Sequence, residues 1–286
     1  RPDDKPWFYW ISFPGPHTPI DCINLPQADL YDEDDIDLPQ TSLEDLKDKP
    51  PHYMDKHGNK GPVDQELTES DFKKLRKAYY ANMTLIDEKV GGIIDTLKEI
   101  EEYDNTMIVY LTDHGDFLGD FNRIGKAQFV SEVLMHIPFF IKPPLEDYEG
   151  KTESSLVSSI DAAATSLVVA GKEIPEDMAA QDLSYYWESN DDLNDRDELY
   201  MEAHSIRCIR TREYKLAYYP ERSYGELYNL EEDPWEKHNL WDNEDYKEIK
   251  LELKDRLLDK LIELSPRSHE SWNKKSIGTD TPPPEI

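Results

Sequence analysis

Basic residues are scarce in this 286-residue sequence: 32 lysines and arginines face 62 aspartates and glutamates, a formal net charge of −30. That deficit excludes a general nucleic-acid binder, which needs a basic face, and simple electrostatic adhesion to an anionic bilayer. Cysteine is nearly missing. Cys22 and Cys208 are too few for a disulfide scaffold or a four-cysteine zinc site; the sequence leaves their pairing open, two unpaired thiols being the plainer reading. No run of about 18 apolar residues is present, so no transmembrane segment is expected. No apolar signal-peptide core follows Arg1-Pro2-Asp3-Asp4, and the first residue is not methionine. The stretch therefore reads as a processed product or a fragment, and a secreted or periplasmic setting requires a signal peptide ahead of it. Internal repeats are absent as well.

What is present is enough for a core. Hydrophobic residues make up 37% and aromatics 11%, which argues against disorder throughout despite the charge. The length fits one large or two small domains. Trp7-Phe8-Tyr9-Trp10-Ile11-Ser12-Phe13 is apolar on both faces, as a strand inside a covered sheet would be. Three prolines and a glycine end it at Pro14-Gly15-Pro16-His17-Thr18-Pro19. Residues 20–65, rich in Asp, Pro and Lys, read as a long surface excursion.

Thr68-x-x-Asp71 is a capping-box start, and Phe72, Leu75, Tyr79, Met83, Ile86, Val90, Ile93, Leu97 and Ile100 follow at helical spacing. A long amphipathic helix over 68–102 is expected, with Gly91-Gly92 weakening its centre and permitting close packing on a sheet. Asn82-Met83-Thr84 matches a glycosylation acceptor, but its place in the apolar stripe argues against use. Thr106–Thr112 and Ile137–Ile141 read as buried strands, and a helix is expected from about Ser159 to Ala170, ended by Gly171. This is the grammar of an α/β fold: a largely parallel sheet covered by helices on both faces. After about residue 195 it changes to four short strands, Glu198–Glu202, Ser205–Thr211, Tyr214–Pro220 and Glu226–Leu230, followed by a charged amphipathic helix over Asp242–Leu264. The expected division is an α/β part over 1–195, a small antiparallel-sheet subdomain with a covering helix over 196–265, and a tail over 266–286.

In open α/β sheets ligands bind beyond the carboxyl ends of the strands. Two of the expected strands end there in polar residues: His17 after the first and Asp113-His114 after the second. An Asp followed by His, held at a strand end by Gly115, can offer a carboxylate oxygen and an imidazole nitrogen to one cation. Lys126, behind Gly125, is suited to gripping a tetrahedral oxyanion beside that cation. Taken singly each residue is a weak signal, and their joint arrangement is what raises them. His204, Arg207 and Tyr224 in the second part are further candidates for substrate contact.

The arrangement resembles a known family. Phe13-Pro14-Gly15-Pro16-His17-Thr18-Pro19 is similar to the strand-end motif that carries an active-site histidine in sulfatases. Tyr79–Gly91 resembles their long helix. Thr112-Asp113-His114-Gly115-Asp116-Phe117-Leu118-Gly119-Asp120, with Gly125-Lys126, resembles their metal-ligand loop and following lysine. Glu226-Leu227-Tyr228-Asn229-Leu230, with Asp233-Pro234 and Asn239-Leu240, resembles their C-terminal signature. Order and spacing agree from residue 7 to about 264. The resemblance is to the sulfatases of the alkaline phosphatase superfamily, and it implies that fold.

It also implies a mechanism, in which a formylglycine nucleophile attacks a sulfate ester beside a divalent cation. Carried over, Asp113 and His114 are metal ligands, and Lys126 contacts the sulfate and nucleophile oxygens. His17 contacts the sulfate and helps protonate the leaving alcohol. The implied cation is calcium, with manganese or magnesium as alternatives, since imidazole is a less usual calcium ligand than oxygen. The Cys/Ser-x-Pro/Ala-x-Arg motif of the nucleophile is missing: Cys22 is followed by Ile23-Asn24-Leu25-Pro26-Gln27. The paired aspartates of the family's N-terminal part are missing too. The sequence therefore reads as the C-terminal part of such an enzyme, inactive alone and partnered by its N-terminal part. A phosphonate monoester or phosphodiester hydrolase of the same superfamily is the rival enzyme, and a non-catalytic interaction module is the rival of another class.

Overall fold

The computed structural model describes residues 5–20, 24–54, 67–188 and 196–265. Helix α1, Glu69–Glu99, is the longest element. It opens on a complete capping box, in which the Thr68 backbone N–H and hydroxyl both donate to Asp71 (2.9 and 2.6 Å) and Asp71 N–H donates back to the Thr68 hydroxyl (3.3 Å). Those bonds hold the Asp71 carboxyl below its ordinary range, through the Thr68 side chain first and its backbone second. The deepest positions on α1 are Ala78, Ala81, Asn82, Ile86 and Leu97, so small residues set its closest contacts. Gly91 and Gly92 do not. A Cβ at either would meet nothing within 4 Å, which corrects the expectation of close packing there.

Strand β1, Ile108–Leu111, pairs antiparallel with β2, Phe139–Lys142, in the register Ile108 to Lys142 and Leu111 to Phe139. The one-turn helix α2, Glu132–Met135, precedes β2. Helix α3, Asp161–Val169, and the single turn α4, Tyr185–Glu188, follow it. Asp161 is fully buried at the start of α3. It accepts from Ser158 and Gln181 backbone N–H groups and from both terminal nitrogens of Arg196, at 2.8 and 2.9 Å, a two-pronged geometry that fixes the approach to the next sheet.

Two expectations for this half are corrected. Residues 7–13 form no strand among the described residues, and Phe8, Tyr9 and Trp10 are more than 70% exposed. An extended backbone becomes a strand only when a neighbour satisfies its N–H and C=O groups, and no described segment pairs with it. The pairing of β1 with β2 is antiparallel, where the sequence suggested a largely parallel sheet. Nor is 24–54 a mere surface excursion. It makes short 3-10 turns at Pro26–Leu30, Glu33–Asp35, Leu43–Asp48 and Pro51–Met54, and it sinks Ala28, Ile36, Leu46, Lys49 and Tyr53 into the protein.

The C-terminal sheet is a four-stranded antiparallel meander, β3 Glu198–Ala203, β4 Ile206–Thr211, β5 Tyr214–Tyr218 and β6 Gly225–Asn229, in chain order. Helix α5, Lys247–Leu264, lays Leu253 and Leu257 on Ile209, Leu216 and Leu227, with Trp241 closing that core. β6 is buried along its whole length. Its outer edge is covered without a fifth strand: Leu240 N–H donates to Leu227 C=O (2.8 Å), and the Asn239 amide accepts from Leu227 N–H (3.0 Å) and donates to Gly225 C=O (2.9 Å). The opposite face of the sheet packs Ile206, Cys208, Ala217 and Tyr219 against Val130. Cys208 is a free thiol whose pKa burial pushes far up. Cys22 and the tail expected over 266–286 lie outside the described residues.

Buried charge joins the two halves. Lys49 donates to Tyr228 OH (2.9 Å) and lies 3.7 Å from Glu226, whose carboxylate also accepts from the hydroxyls of Tyr53, Tyr219 and Tyr228. Lys215 from β5 donates to Val130 C=O (2.7 Å), to Glu132 (3.2 Å) and to Glu236. Glu236 also accepts from the Ser131 hydroxyl (2.6 Å) and Glu132 N–H (3.0 Å). Burial pushes the Glu236 carboxyl up, but Lys215, Lys49 and these hydrogen bonds more than offset it, so it is held below its usual range. Burial lowers the Lys215 ammonium, and Glu236 and Glu132 more than reverse that.

Candidate functional site

Asp113 and His114 follow β1 at the mouth of the loop 112–126. Gly115 makes the turn possible, since a Cβ there would fall 2.1 Å from the Val133 carbonyl oxygen, and its N–H donates to Leu134 C=O at 2.8 Å. The His114 ring is oriented by its Nδ1, 2.7 Å from Gly115 C=O. A carbonyl only accepts, so Nδ1 carries the proton and Nε2 presents its lone pair. That nitrogen faces Asp113 Oδ2 at 3.4 Å and receives Lys126 Nζ at 2.5 Å. Asp113 is itself steadied by its Oδ1, which accepts from His114 N–H (3.0 Å), and its side chain is 81% exposed.

Three of the four principal candidates therefore converge, and the contacts carry a chemical meaning. Two lone-pair donors from adjacent residues face one position, now held on the imidazole side by the Lys126 ammonium. Adjacent ligands of one divalent cation stand about 3.0–3.4 Å apart, given metal–ligand bonds of about 2.1–2.4 Å, and the observed 3.4 Å agrees. Asp113 and His114 fit as two ligands of a cation. Among the described residues no group of three His, Cys, Asp or Glu side chains could hold a metal.

His17 sits elsewhere along α1. It is exposed, with Nδ1 2.7 Å from Thr18 C=O, and among the described residues no hydrogen bond or ion pair joins it to Asp113, His114 or Lys126. Its loop is nevertheless seated on α1. A Cβ at Gly15 would lie 2.5 Å from Asn82 Oδ1, so only glycine lets the loop come this close. The sequon asparagine is buried in that contact. Six residues earlier on the same helix, Arg76 donates to Leu118 C=O (3.1 Å) and Asp120 (3.1 Å), holding the other loop. Tyr79 lies between these two anchors, its hydroxyl pushed up to about 12 by burial and then by the charge of Asp116. The two loops are thus set about 9 Å apart along one helix axis, at 1.5 Å per residue.

His204 and Arg207 serve their own hairpin. His204 is exposed at the β3–β4 turn, and Arg207 donates to His204 C=O (2.9 Å) and Ile206 C=O (3.1 Å) and lies 3.5 Å from Glu202. Neither contacts the Asp113–Lys126 cluster. Tyr224 packs on Tyr219 with ring centroids 5.4 Å apart.

Sequence reasoning overlooked the residues that hold the loop. Asp116 Oδ1 accepts from Leu118 N–H and Gly125 N–H, each at 2.9 Å. Asp120 Oδ1 accepts from Gln40 N–H, Thr41 N–H and the Thr41 hydroxyl. Arg123 is buried over the rings of Phe117 and Phe129 and donates to Tyr53 C=O. Burial pulls its guanidinium down to about 10. The acids recur four apart in Asp-Phe-Leu-Gly-Asp, the available signal, but a surface turn offers the same spacing.

Two known families match this chain, one over each part. The family described as Sulfatase matches residues 1–172, and that described as N-sulphoglucosamine sulphohydrolase, C-terminal, matches residues 119–263. An arylsulfatase of Clostridium perfringens is 29% identical over 96% of this chain and 57% of its own length. Two phosphonate monoester hydrolases share the fold. The one from Agrobacterium radiobacter has a TM-score of 0.78 and 22% identity, covering 92% of this chain and 58% of that one. The one from Silicibacter pomeroyi has a TM-score of 0.72 and 20% identity, covering 85% and 53%. The chain spans about half the length of the relatives it matches. With the Sulfatase match running through both the His17 loop and the Asp113–Lys126 loop, the chain belongs to the sulfatase family of the alkaline phosphatase superfamily.

Proposed function

We propose that this chain is the C-terminal portion of a metal-dependent sulfatase that hydrolyses a sulfate ester, its N-terminal part supplying a formylglycine nucleophile and the remaining metal ligands. The observation that carries the reading is the meeting of Asp113, His114 and Lys126 at one strand end, inside the segment matched to the family. Asp113 Oδ2 and His114 Nε2 would hold the cation, calcium first and manganese or magnesium as alternatives. The cation would supply Lewis-acid polarisation of the ester oxygens and a template for the nucleophile. The fixed Nδ1–H bond to Gly115 keeps His114 in the ligating tautomer. Lys126 would shift from His114 Nε2 to the sulfate, where a fixed positive charge stabilises oxygens that gain charge in the transition state. His17, exposed at its loop, would move a proton to the departing alcohol.

The test is turnover by the complete enzyme of an aryl sulfate against an aryl phosphonate. Preference for the sulfate supports the reading. Preference for the phosphonate supports the second reading, a phosphonate monoester hydrolase, whose fold two solved relatives of that class share. Turnover of neither, with no nucleophile motif encoded upstream, leaves a non-catalytic module.

A further inference from the structure

We propose that Asp116 is the positioning residue that sets Lys126 against the reacting oxygens; the inference rests on the role given to Lys126 above. A lysine reaches through four flexible carbons, so where its ammonium can act is decided by where its backbone is rooted. The root here is Gly125, and both of its backbone groups are tied to the far side of the loop. Its N–H donates to Asp116 Oδ1 at 2.9 Å, and its C=O accepts from Phe117 N–H at 3.0 Å. The same Asp116 oxygen accepts from Leu118 N–H at 2.9 Å, so one atom gathers both limbs of the loop. It does so two residues from His114, whose Nε2 the lysine reaches. Asp116 contacts none of the groups assigned to chemistry. It acts through the length of the loop alone, and what matters is the place of its accepting oxygen, not its charge.

A double-mutant cycle in the complete enzyme tests this. Asp116→Ala is expected to lower kcat by about 10–100-fold, the scale of a misplacement near 1 Å, with KM changed far less. In a Lys126→Ala background the same substitution is expected to cost less than about twofold, because the group it positions is gone. Asp116→Asn keeps the accepting oxygen and is expected to restore most of the lost kcat. Asp116→Glu keeps the charge but moves the oxygen by one methylene, and is expected to lose kcat as the alanine variant does. It also serves as the folded probe if Asp116→Ala does not fold. Additive losses in the two backgrounds, a parent-like kcat in Asp116→Glu, or an Asn variant as poor as the alanine one would overturn the inference. A parent-like Lys126→Ala would overturn the role of the lysine itself, and this inference with it.

Discussion

The two halves of the chain treat their sheets in opposite ways. β3–β6 close on themselves: one face is covered by α5, the other by Val130 and its neighbours, and the β6 edge is sealed by Asn239 and Leu240. Among the described residues β1 and β2 pair only with each other, and apart from Phe140 they are half-buried. Phe140 is 64% exposed, and the aromatic run at 8–10 lies in solvent nearby in sequence to the His17 loop. Yet the candidate chemistry is on the open half, while the closed half carries the buried ion pairs that brace it. The difference teaches that the C-terminal sheet is tied, through Lys215, Glu236 and the segment 130–132, to the stretch that follows Lys126.

The strongest way to break that comparison is to remove the brace. Lys215→Met leaves Glu236 buried without its principal cation, and stability in denaturant is expected to fall by about 3–5 kcal/mol. The same pair sets a pH dependence. The Glu236 carboxyl is depressed in the folded state, so its contribution is complete above the unfolded glutamate value of about 4.3. It is lost as pH falls through the lower folded value. Acid titration of folding should show this loss, and Lys215→Met should weaken it. Next in size, Lys126→Ala in the complete enzyme should lower turnover by about 100–1,000-fold while leaving the melting temperature nearly unchanged. Asp113→Asn should instead weaken metal binding and be partly rescued by added metal, as measured by metal titration.

Smaller effects sharpen the contrast within the open half. Gly115→Ala drives a Cβ into the Val133 carbonyl and should destabilise by about 1–3 kcal/mol, the usual cost of overpacking, with turnover falling as the His114 turn opens. Thr68→Ala removes the cap of α1 and should cost about 1 kcal/mol in thermal unfolding, with turnover little changed. A large activity loss from Thr68→Ala would show that α1 spaces the two loops less rigidly than its anchors at Arg76 and Asn82 indicate.

What the sequence determined by itself is what depends on neighbours along the chain. The helix start at Thr68 rests on a capping box within four residues, β3–β6 rest on short hairpins, and the Asp113-His114 turn with Lys126 rests on one loop. All are local, and three of the four family motifs lie on them, the His17 loop being the exception. Tertiary structure alone decided that Lys49 would be buried beside Glu226, 177 positions away, and that Ser131 would meet Glu236 across a separation of 105. It also decided that 7–13 would join no ladder among the described residues. A buried charge must find its counter-charge wherever the chain returns, and a strand must find its neighbour. Neither partner leaves a periodic trace in the residues that need it, so Lys49 reads as one more surface lysine, and Trp7–Phe13 as a buried strand, until the fold is seen.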